Sequence, residues 1–184
     1  PDLKTHISEP LAFPGVRDAV DRLWSAIRSK RDILVFGDFD ADGVAAAAII
    51  SIALRRMGGQ VEVFLPVRDI EGYGLSFAAI ERCFAERGRA PSLLLTVDCG
   101  VSSVAEVAHL KQLGVEVIIS DHHEPGAELP RADVIVNPRL GASPGAEELC
   151  GAGVAFKISH ALVEAGRRNG WYSGAALGGE LLVP

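Results

Sequence analysis

The sequence has few cysteines, and they lack the spacings that hold disulfide frameworks or zinc ribbons together. Its three cysteines, Cys83, Cys99 and Cys150, are an odd number, lie far apart and include no CxxC pair. Disulfide-rich secreted folds and structural zinc ribbons are therefore excluded, and a reducing, cytoplasmic compartment is predicted.

Long apolar stretches are also missing. No uninterrupted apolar run approaches the ~18 residues that a membrane span requires. The N-terminal part lacks a basic start followed by an apolar block, which is the pattern of a signal peptide. These absences predict a protein that does not associate with membranes.

Positive charge is scarce relative to negative charge. The 184 residues include 18 Lys and Arg against 24 Asp and Glu, so the formal net charge is −6. Because a protein that binds nucleic acid unaided is usually basic, this balance argues against a self-sufficient nucleic-acid binder. The chain is, however, 48% hydrophobic, which is enough for one folded domain with a buried core.

Short apolar runs alternate with helical patterns along the chain. The predicted strands are 33–36, 61–65, 93–97, 115–119 and 134–136, and the predicted helices are 15–30, 44–57, 77–87, 104–113 and 154–165. Ser102 or Ser103 is well placed to cap the fourth helix. Apolar strands of this kind are typical of a sheet covered on both sides. The pattern predicts an α/β fold, a parallel sheet of about five strands with helices on both faces, after an irregular N-terminal arm over 1–14.

Acidic residues and histidines follow three of the predicted strands. Asp38, Asp40 and Asp42 lie in GDFDADG after the first strand, Asp98 follows the third, and residues 121–123 read Asp-His-His after the fourth. Because the carboxyl ends of parallel strands share the sheet edge at which α/β folds hold ligands, these side chains are expected to meet in one crevice.

Five aspartates gathered at one edge repel one another. Two carboxylates ~4 Å apart repel by about 4 kcal/mol at an effective dielectric of about 20. Either some of the acids stay protonated, or cations lie between them. Oxygen ligands combined with an imidazole suit Mn²⁺ or Mg²⁺, and a bridging carboxylate allows the two-ion arrangement of phosphoesterases.

Each acid taken singly also has a purely structural interpretation. An aspartate after a strand is commonly a helix N-cap or a turn residue, and Asp42-Gly43 has the composition of a turn. Three acidic clusters at the same edge, one of them with a His-His pair, favour the metal site.

Several blocks of the sequence resemble the DHH family of phosphoesterases, which is named for the triplet at 121–123. They are VFGDFDADGVAA (35–46), EGYGLS (71–76), TVDCGVSS (96–103), and SDHHEPG with VNPR (120–139). A further block, LCGAGVAFK (149–157), is similar to the family's exonucleases specific for single-stranded DNA. The blocks follow the family order, so the resemblance implies a DHH phosphoesterase domain over 15–184.

The resemblance implies a role for each aspartate that follows the first and third strands. Asp40 would bind one metal ion, Asp42 would bind a second, and Asp98 would bridge the two. Asp38 would lie near the first ion, either as a ligand or through water.

The triplet after the fourth strand completes the implied catalytic site. His122 would ligate the second ion, Asp121 would orient the histidines from behind, and His123 would face the scissile phosphate. Water activated by the two ions would attack phosphorus and expel the 3′-oxygen.

The family pattern extends past the last residue of this sequence. A further aspartate in a GTVAD-like segment is expected shortly beyond 182–184, with a second lobe and an OB-type domain after it. We therefore expect the DHH domain to be truncated, to bind its second ion weakly and to cleave DNA poorly on its own.

Three other side chains are candidate substrate contacts. We hypothesise that Arg68 and Arg139 touch phosphates beside the metals, with solvated surface cations as the alternative. Tyr73 lies between two glycines, where its ring either stacks on a base at ~1–3 kcal/mol or packs on its own loop.

The resemblance implies a metal-dependent 5′→3′ exonuclease that releases 5′-mononucleotides from single-stranded DNA in recombination and repair. A helicase or single-strand-binding protein is the expected protein partner. One alternative is a DHH phosphodiesterase that cleaves short oligonucleotides or cyclic dinucleotides, against which the blocks at 71–76 and 149–157 argue. A second alternative is a catalytically silent scaffold in a replication complex, but here the ligand positions are filled.

Overall fold

The structure is a computed structural model that describes residues 14–141 and 148–171. Nearly all of the predicted N-terminal arm, the segment 142–147 and the C-terminal segment 172–184 lie outside the described residues.

Five parallel strands form one sheet in the order β2-β1-β3-β4-β5. The strands are β1 (Asp32–Phe36), β2 (Gln60–Phe64), β3 (Leu93–Val97), β4 (Glu116–Ser120) and β5 (Val134–Val136). After β2 the chain crosses back over β1 to form β3, so the strand order reverses between β1 and β3. Ligands of open α/β sheets bind at such a reversal, which here lies between the ends of β1 and β3.

Helices connect the strands, as the alternating pattern predicts. They are α1 (Val16–Arg28), α2 (Ala41–Arg56), α3 (Arg68–Glu71), α4 (Phe77–Arg87), α5 (Val104–Gln112) and α6 (Gly151–Arg168), with a 3-10 turn over Pro138–Leu140. The short α3 and the 3-10 turn have no counterpart in the sequence prediction because they are too short to show a helical period.

The two faces of the sheet are covered by different helices. One face carries Val35, Leu95 and Ile118 and packs against α1, α2 and α6. The other carries Leu34 and Leu94 and packs against α4 and α5. Successive residues of a strand point to opposite faces, so strands buried on both sides must be apolar throughout. The predicted α/β fold with helices on both faces is thus confirmed.

Two details differ from the sequence prediction. β2 is an edge strand with Glu62 and Val63 exposed, so the expected cover on both sides is wrong for this strand. Ser103 does occupy the N-cap position of α5, but its hydroxyl donates to the carbonyl of Leu75 at 3.2 Å and makes no capping hydrogen bond. The reason is tertiary, because a loop from another part of the chain supplies the acceptor.

No helix among the described residues is both long and apolar enough to cross a membrane.

Candidate metal centre

Asp98 is the first residue after β3, and its backbone turns sharply there. Its N–H donates to the carbonyl of Ser120 at 2.9 Å, which extends the pairing of β3 with β4 by one residue. Its φ of 62° lies in the left-handed region, which aspartate tolerates better than most residues that have a Cβ. This turn directs the carboxylate toward the carboxyl ends of the strands.

The Oδ1 atom of Asp98 is buried and has no hydrogen-bond partner among the described residues. The Nε2 atom of His122 lies 3.1 Å from it without forming a hydrogen bond. The pKa of Asp98 is raised to about 7, mainly by burial and next by the negative charges of Asp42 and Asp40. Because a buried acceptor without a donor is costly, this carboxylate oxygen fits a bound cation.

His122 brings an imidazole nitrogen to the same point. Its Nε2 lies 3.1 Å from Oδ1 of Asp98 and 3.7 Å from Oδ2 of Asp42. The two carboxylates and the imidazole come from α2 and from the ends of β3 and β4, as the sheet topology predicts. An imidazole with two carboxylate oxygens is a donor set that suits Mn²⁺, and also Mg²⁺.

Asp121 is almost fully buried behind the two histidines. Its Oδ1 accepts the backbone N–H of His122 at 2.7 Å and that of His123 at 3.1 Å, and it also lies 2.7 Å from Nδ1 of His123. Its Oδ2 accepts the N–H of Val101 at 2.9 Å. The carboxylate therefore holds the backbone of the turn and the ring of His123, and its role in orienting both histidines stays a prediction.

The His123 side chain is 56% exposed, with Nδ1 held by Asp121. Burial alone would lower the pKa of His123, but the hydrogen bond and charge of Asp121 outweigh it and raise this pKa. Asp98, His122 and His123 each offer one ligand atom within 4.8 Å of the others. This geometry allows His123 to be a metal ligand as well as the phosphate contact that the sequence predicts.

Asp42 is tied to the start of α6. Its Oδ2 accepts the N–H of Gly151 at 2.7 Å, and its Oδ1 accepts the N–H of Ala152 at 2.8 Å. Burial alone would raise the pKa of Asp42, but these two hydrogen bonds help to lower it. Asp42 and Gly43 do not form a loop, because both residues belong to the first helical turn of α2.

Gly151 is a site residue that sequence reasoning missed. A Cβ atom at this position would lie 2.3 Å from Oδ1 of Asp98 and 2.5 Å from its Cγ, so only glycine fits. The glycines of the block at 149–157 are the available signal, but the contact joins residues more than fifty positions apart.

Asp38 and Asp40 lie at the β1 side of the crevice. Asp38 is mostly buried, and its Oδ1 accepts the N–H of Phe39 at 2.7 Å. Asp40 is the N-cap of α2, where its Oδ1 accepts the N–H of Gly43 at 2.9 Å. The structural interpretation of Asp40 is therefore correct, and it leaves the predicted role in metal binding open for the same carboxylate.

The candidate substrate contacts Arg68 and Tyr73 meet at the rim of the crevice. Arg68 donates from a guanidinium nitrogen to the Tyr73 hydroxyl at 2.5 Å. The guanidinium carbon lies 5.3 Å from the Phe39 ring centre and 5.1 Å from that of Tyr73. The Tyr73 ring is 67% exposed, so the rim presents aromatic surface and a cation beside the acids. Phe39 was not identified from the sequence, although it lies between Asp38 and Asp40.

A cavity of about 230 Å³ opens between this rim and the acids. Its walls come from the loop at 73–75, the loop at 98–103 and the side chains of Asp38, Asp121 and His123. The cavity thus connects the solvent-exposed rim with the candidate metal ligands.

Arg139 contacts the backbone of the histidine turn. Its Nε donates to the carbonyl of His122 at 2.9 Å, and a terminal nitrogen lies 3.1 Å from a carboxylate oxygen of Glu124. Asn137, which is fully buried, donates to the carbonyl of His123 at 2.9 Å and accepts the N–H of Arg139 at 2.8 Å. Asn137 is a second site residue missed from the sequence, although the VNPR block contains it.

Comparison with known proteins identifies the family. The sequence profile of the protein family described as "DHH family, N-terminal domain" matches residues 32–176. The chain therefore belongs to the DHH family. That family assignment agrees with the resemblance carried by the sequence blocks.

The most similar relatives include exonucleases. The chain is 43% identical over 156 residues to the single-stranded-DNA-specific exonuclease RecJ of Bacillus subtilis, covering 84% of this chain and 20% of that protein. A crystal structure of exonuclease RecJ bound to manganese superposes with a TM-score of 0.75 at 40% identity, covering 83% of this chain and 38% of that one. RecJ of Thermus thermophilus in complex with Mn²⁺ gives a TM-score of 0.68 at 38% identity, covering 86% and 22%. The chain thus spans about a fifth of the length of its curated B. subtilis relative.

Proposed function

We propose that this chain is the metal-binding part of a 5′→3′ exonuclease that degrades single-stranded DNA to 5′-mononucleotides. The observation that carries the proposal is the buried Oδ1 of Asp98, which lacks a hydrogen-bond donor among the described residues and lies 3.1 Å from Nε2 of His122. The likeness to RecJ proteins, named for single-stranded DNA and crystallised with manganese, supports this reading of the site.

Asp40, Asp42, Asp98 and His122 would hold Mn²⁺ or Mg²⁺, with Asp38 beside the first ion. Divalent ions bound there would activate water and neutralise phosphate charge. The chain's own contribution is to bring carboxylates and an imidazole from three strand ends together and to fix them through the backbone of β3, β4 and α6. The assignment of single ligands to single ions is part of the proposal.

The remaining residues would bind and orient the DNA strand. His123, held through Nδ1 by Asp121, would direct its other ring nitrogen toward the scissile phosphate. Tyr73 would stack on a base and Arg68 would bind a phosphate at the rim of the 230 Å³ cavity. Arg139, which donates a hydrogen bond to the His122 carbonyl, would bind a phosphate of the DNA beside it.

The same proposal includes a role in recombination and repair, a cytoplasmic location, and partners such as a helicase or single-strand-binding protein. Their support is the likeness to RecJ proteins over 84% of this chain. The net charge of −6 fits a division of labour in which other parts of a longer protein would supply a basic DNA groove.

Metal binding is tested first, by isothermal titration of the chain with Mn²⁺. We expect one strong site and a weaker second one, and Asp98→Ala should weaken the strong site at least about 10-fold, or about 1.4 kcal/mol. Two equally tight sites would contradict the expected difference in Mn²⁺ affinity between the two sites. Unchanged binding in the variant would exclude the metal centre.

Cleavage is tested with oligo(dT) labelled at either end, in Mn²⁺, using a longer protein that contains this chain. A 5′→3′ enzyme releases the 5′ label as a mononucleotide at once and shortens the 3′-labelled strand stepwise. Preferred hydrolysis of dinucleotides or cyclic dinucleotides would favour the other phosphodiesterase class. No Mn²⁺-dependent hydrolysis of any of these substrates would favour a silent scaffold.

A further inference from the structure

The loop over 65–76 is held by an ion pair that the metal site does not use, between a buried glutamate and a partly exposed arginine. The side chain of Glu71 is 1% exposed and pairs with Arg82 of α4 through Nε and a terminal nitrogen. A buried carboxylate is costly unless it is paired and hydrogen bonded, so removing this contact should disturb the residues around it.

Glu71 holds both ends of the loop. Its Oε2 accepts the N–H of Val67 at 2.6 Å, near the start of the loop. Its backbone carbonyl accepts the hydroxyl of Ser76 at 3.0 Å, at the end of the loop where Ser76 caps α4. A single residue thus closes the segment into a compact arch.

Arg82 anchors the arch to the sheet. It donates to the carbonyl of Leu65 at 3.1 Å, directly after β2, and its guanidinium carbon lies 4.3 Å from the centre of the Phe64 ring. On its outer side it donates to Glu86 at 2.7 Å, and that carboxylate is 57% exposed. The inner and outer partners of Arg82 therefore differ in burial and in what they contact.

The arch carries the rim of the crevice. Arg68 and Tyr73 lie within it and contact Phe39, which stands between two of the candidate metal ligands. Gly74, with a φ of 62°, lies against Cys99, the neighbour of Asp98, because a Cβ placed on it would be in van der Waals contact with the Cβ of Cys99 at 3.4 Å. The position of the cavity wall at 73–75 thus depends on how the arch is fixed.

We propose that Glu71, through Arg82, is a positioning residue for single-stranded DNA, holding Arg68 and Tyr73 over the crevice without touching substrate or metal. The inference rests on the proposed function for its ligand. It assigns a role to the first residue of the EGYGLS block, which the metal site leaves unexplained.

The test compares Glu71→Gln with Glu86→Gln, which removes the charge from the exposed partner of the same arginine. Hydrogen–deuterium exchange of amides in 65–76 should rise about 10-fold or more in the first variant and stay unchanged in the second. Mn²⁺ affinity by titration should stay within about 2-fold of the parent in both, because the Glu71–Arg82 pair contacts none of the candidate metal ligands.

Binding of fluorescent phosphorothioate oligo(dT), which resists cleavage, is measured with the longer protein used for the cleavage assay. It should weaken about 5–10-fold in Glu71→Gln, as in Arg68→Ala, and stay unchanged in Glu86→Gln. If Glu71→Gln does not fold by circular dichroism, Glu71→Asp keeps the charge and withdraws the carboxylate from the Val67 amide. Glu71→Asp is then expected to raise exchange in 65–76 and to weaken oligo(dT) binding, both by less than Glu71→Gln would, with Mn²⁺ affinity unchanged.

Unchanged exchange in 65–76, or equal effects of both glutamine variants, would overturn the proposed role of the Glu71–Arg82 pair. A parallel loss of Mn²⁺ affinity would show that Glu71 supports the whole centre and would overturn its specific role with DNA. If the longer protein used for the cleavage assay binds Mn²⁺ but no oligo(dT), the proposed function itself fails, and the positioning role for DNA fails with it.

Discussion

The carboxylate of Asp42 caps a helix that begins 109 residues further along the chain, because its Oδ2 accepts the N–H of Gly151 at 2.7 Å. The same oxygen lies 3.7 Å from Nε2 of His122. One side chain therefore joins α2 to α6 and also faces the candidate metal centre. Structural and functional effects of its removal can be separated by comparison with His122.

Asp42→Ala should reduce both stability and metal affinity. Two amides at the start of α6 lose their acceptor, so the free energy of unfolding of the metal-free chain should fall by about 1–3 kcal/mol. His122→Ala, the control, leaves the α6 amides paired and should cost less than about 1 kcal/mol while also weakening Mn²⁺ binding. Urea unfolding in EDTA and Mn²⁺ titration measure the two effects, and equal stability losses would contradict the capping role.

Gly151→Ala should disturb the metal centre through packing alone. The new Cβ would lie 2.3 Å from Oδ1 of Asp98, so either the carboxylate or the start of α6 must move. We expect a loss of about 2 kcal/mol or more in stability, together with weaker Mn²⁺ binding.

Gly153→Ala is the matched control for that change. Its Cβ would lie 3.1 Å from a methyl group of Leu149, a side chain that can shift, and alanine favours the helix by about 1 kcal/mol. Thermal unfolding should therefore change little. A Gly153→Ala effect as large as that of Gly151→Ala would contradict a specific clash with Asp98.

Asp98→Asn should weaken Mn²⁺ binding and yet stabilise the metal-free chain. Asparagine tolerates the φ of 62° and removes a buried charged oxygen that lacks a donor among the described residues. We expect at least about a 10-fold loss of Mn²⁺ affinity and a gain of about 1 kcal/mol in EDTA. Asp69→Asn, at an exposed position of α3, should change neither quantity. A destabilised Asp98→Asn chain in EDTA would show that Asp98 is structural.

Asp32 should govern part of the acid stability of the fold, far from the metal centre. Burial alone would raise the pKa of Asp32, but hydrogen bonds from the Ser92 hydroxyl at 2.6 Å and from Arg87 at 2.8 Å hold this pKa well below its usual range. Its stabilising contribution is therefore complete above the unfolded pKa of about 4 and is lost as the pH falls below it.

Asp32→Asn should consequently lower stability at pH 7 and flatten its decline below about pH 4. Urea midpoints measured from pH 7 to pH 3 test this slope. Glu81→Gln, an exposed carboxylate on α4, should leave the slope unchanged. A slope that Asp32→Asn leaves intact would assign the acid sensitivity to other groups.

The sequence alone predicted the strands, the five longer helices and the edge at which the acids meet. Strands buried on both faces must be apolar throughout, and β3 (Leu93–Val97) and β5 (Val134–Val136) appear where their apolar runs predict them. Helix starts were less accurate. α2 and α6 begin three residues before the predicted positions, at Ala41 and Gly151, because Asp40 and Asp42 cap their first amides.

The sequence by itself determined where the apolar strands and the longer helices lie and which strand each acidic cluster follows. This is possible because hydrophobic periodicity depends only on residues that are close together along the chain. Only the tertiary structure decided that Asp42 caps α6, that Gly151 makes room for Asp98, and that Glu71 joins Arg82 beneath the rim. Each of these is a contact between separate elements. Such contacts depend on the crossover from β2 back over β1 and on close packing between helices, and residue spacing along the chain does not encode them.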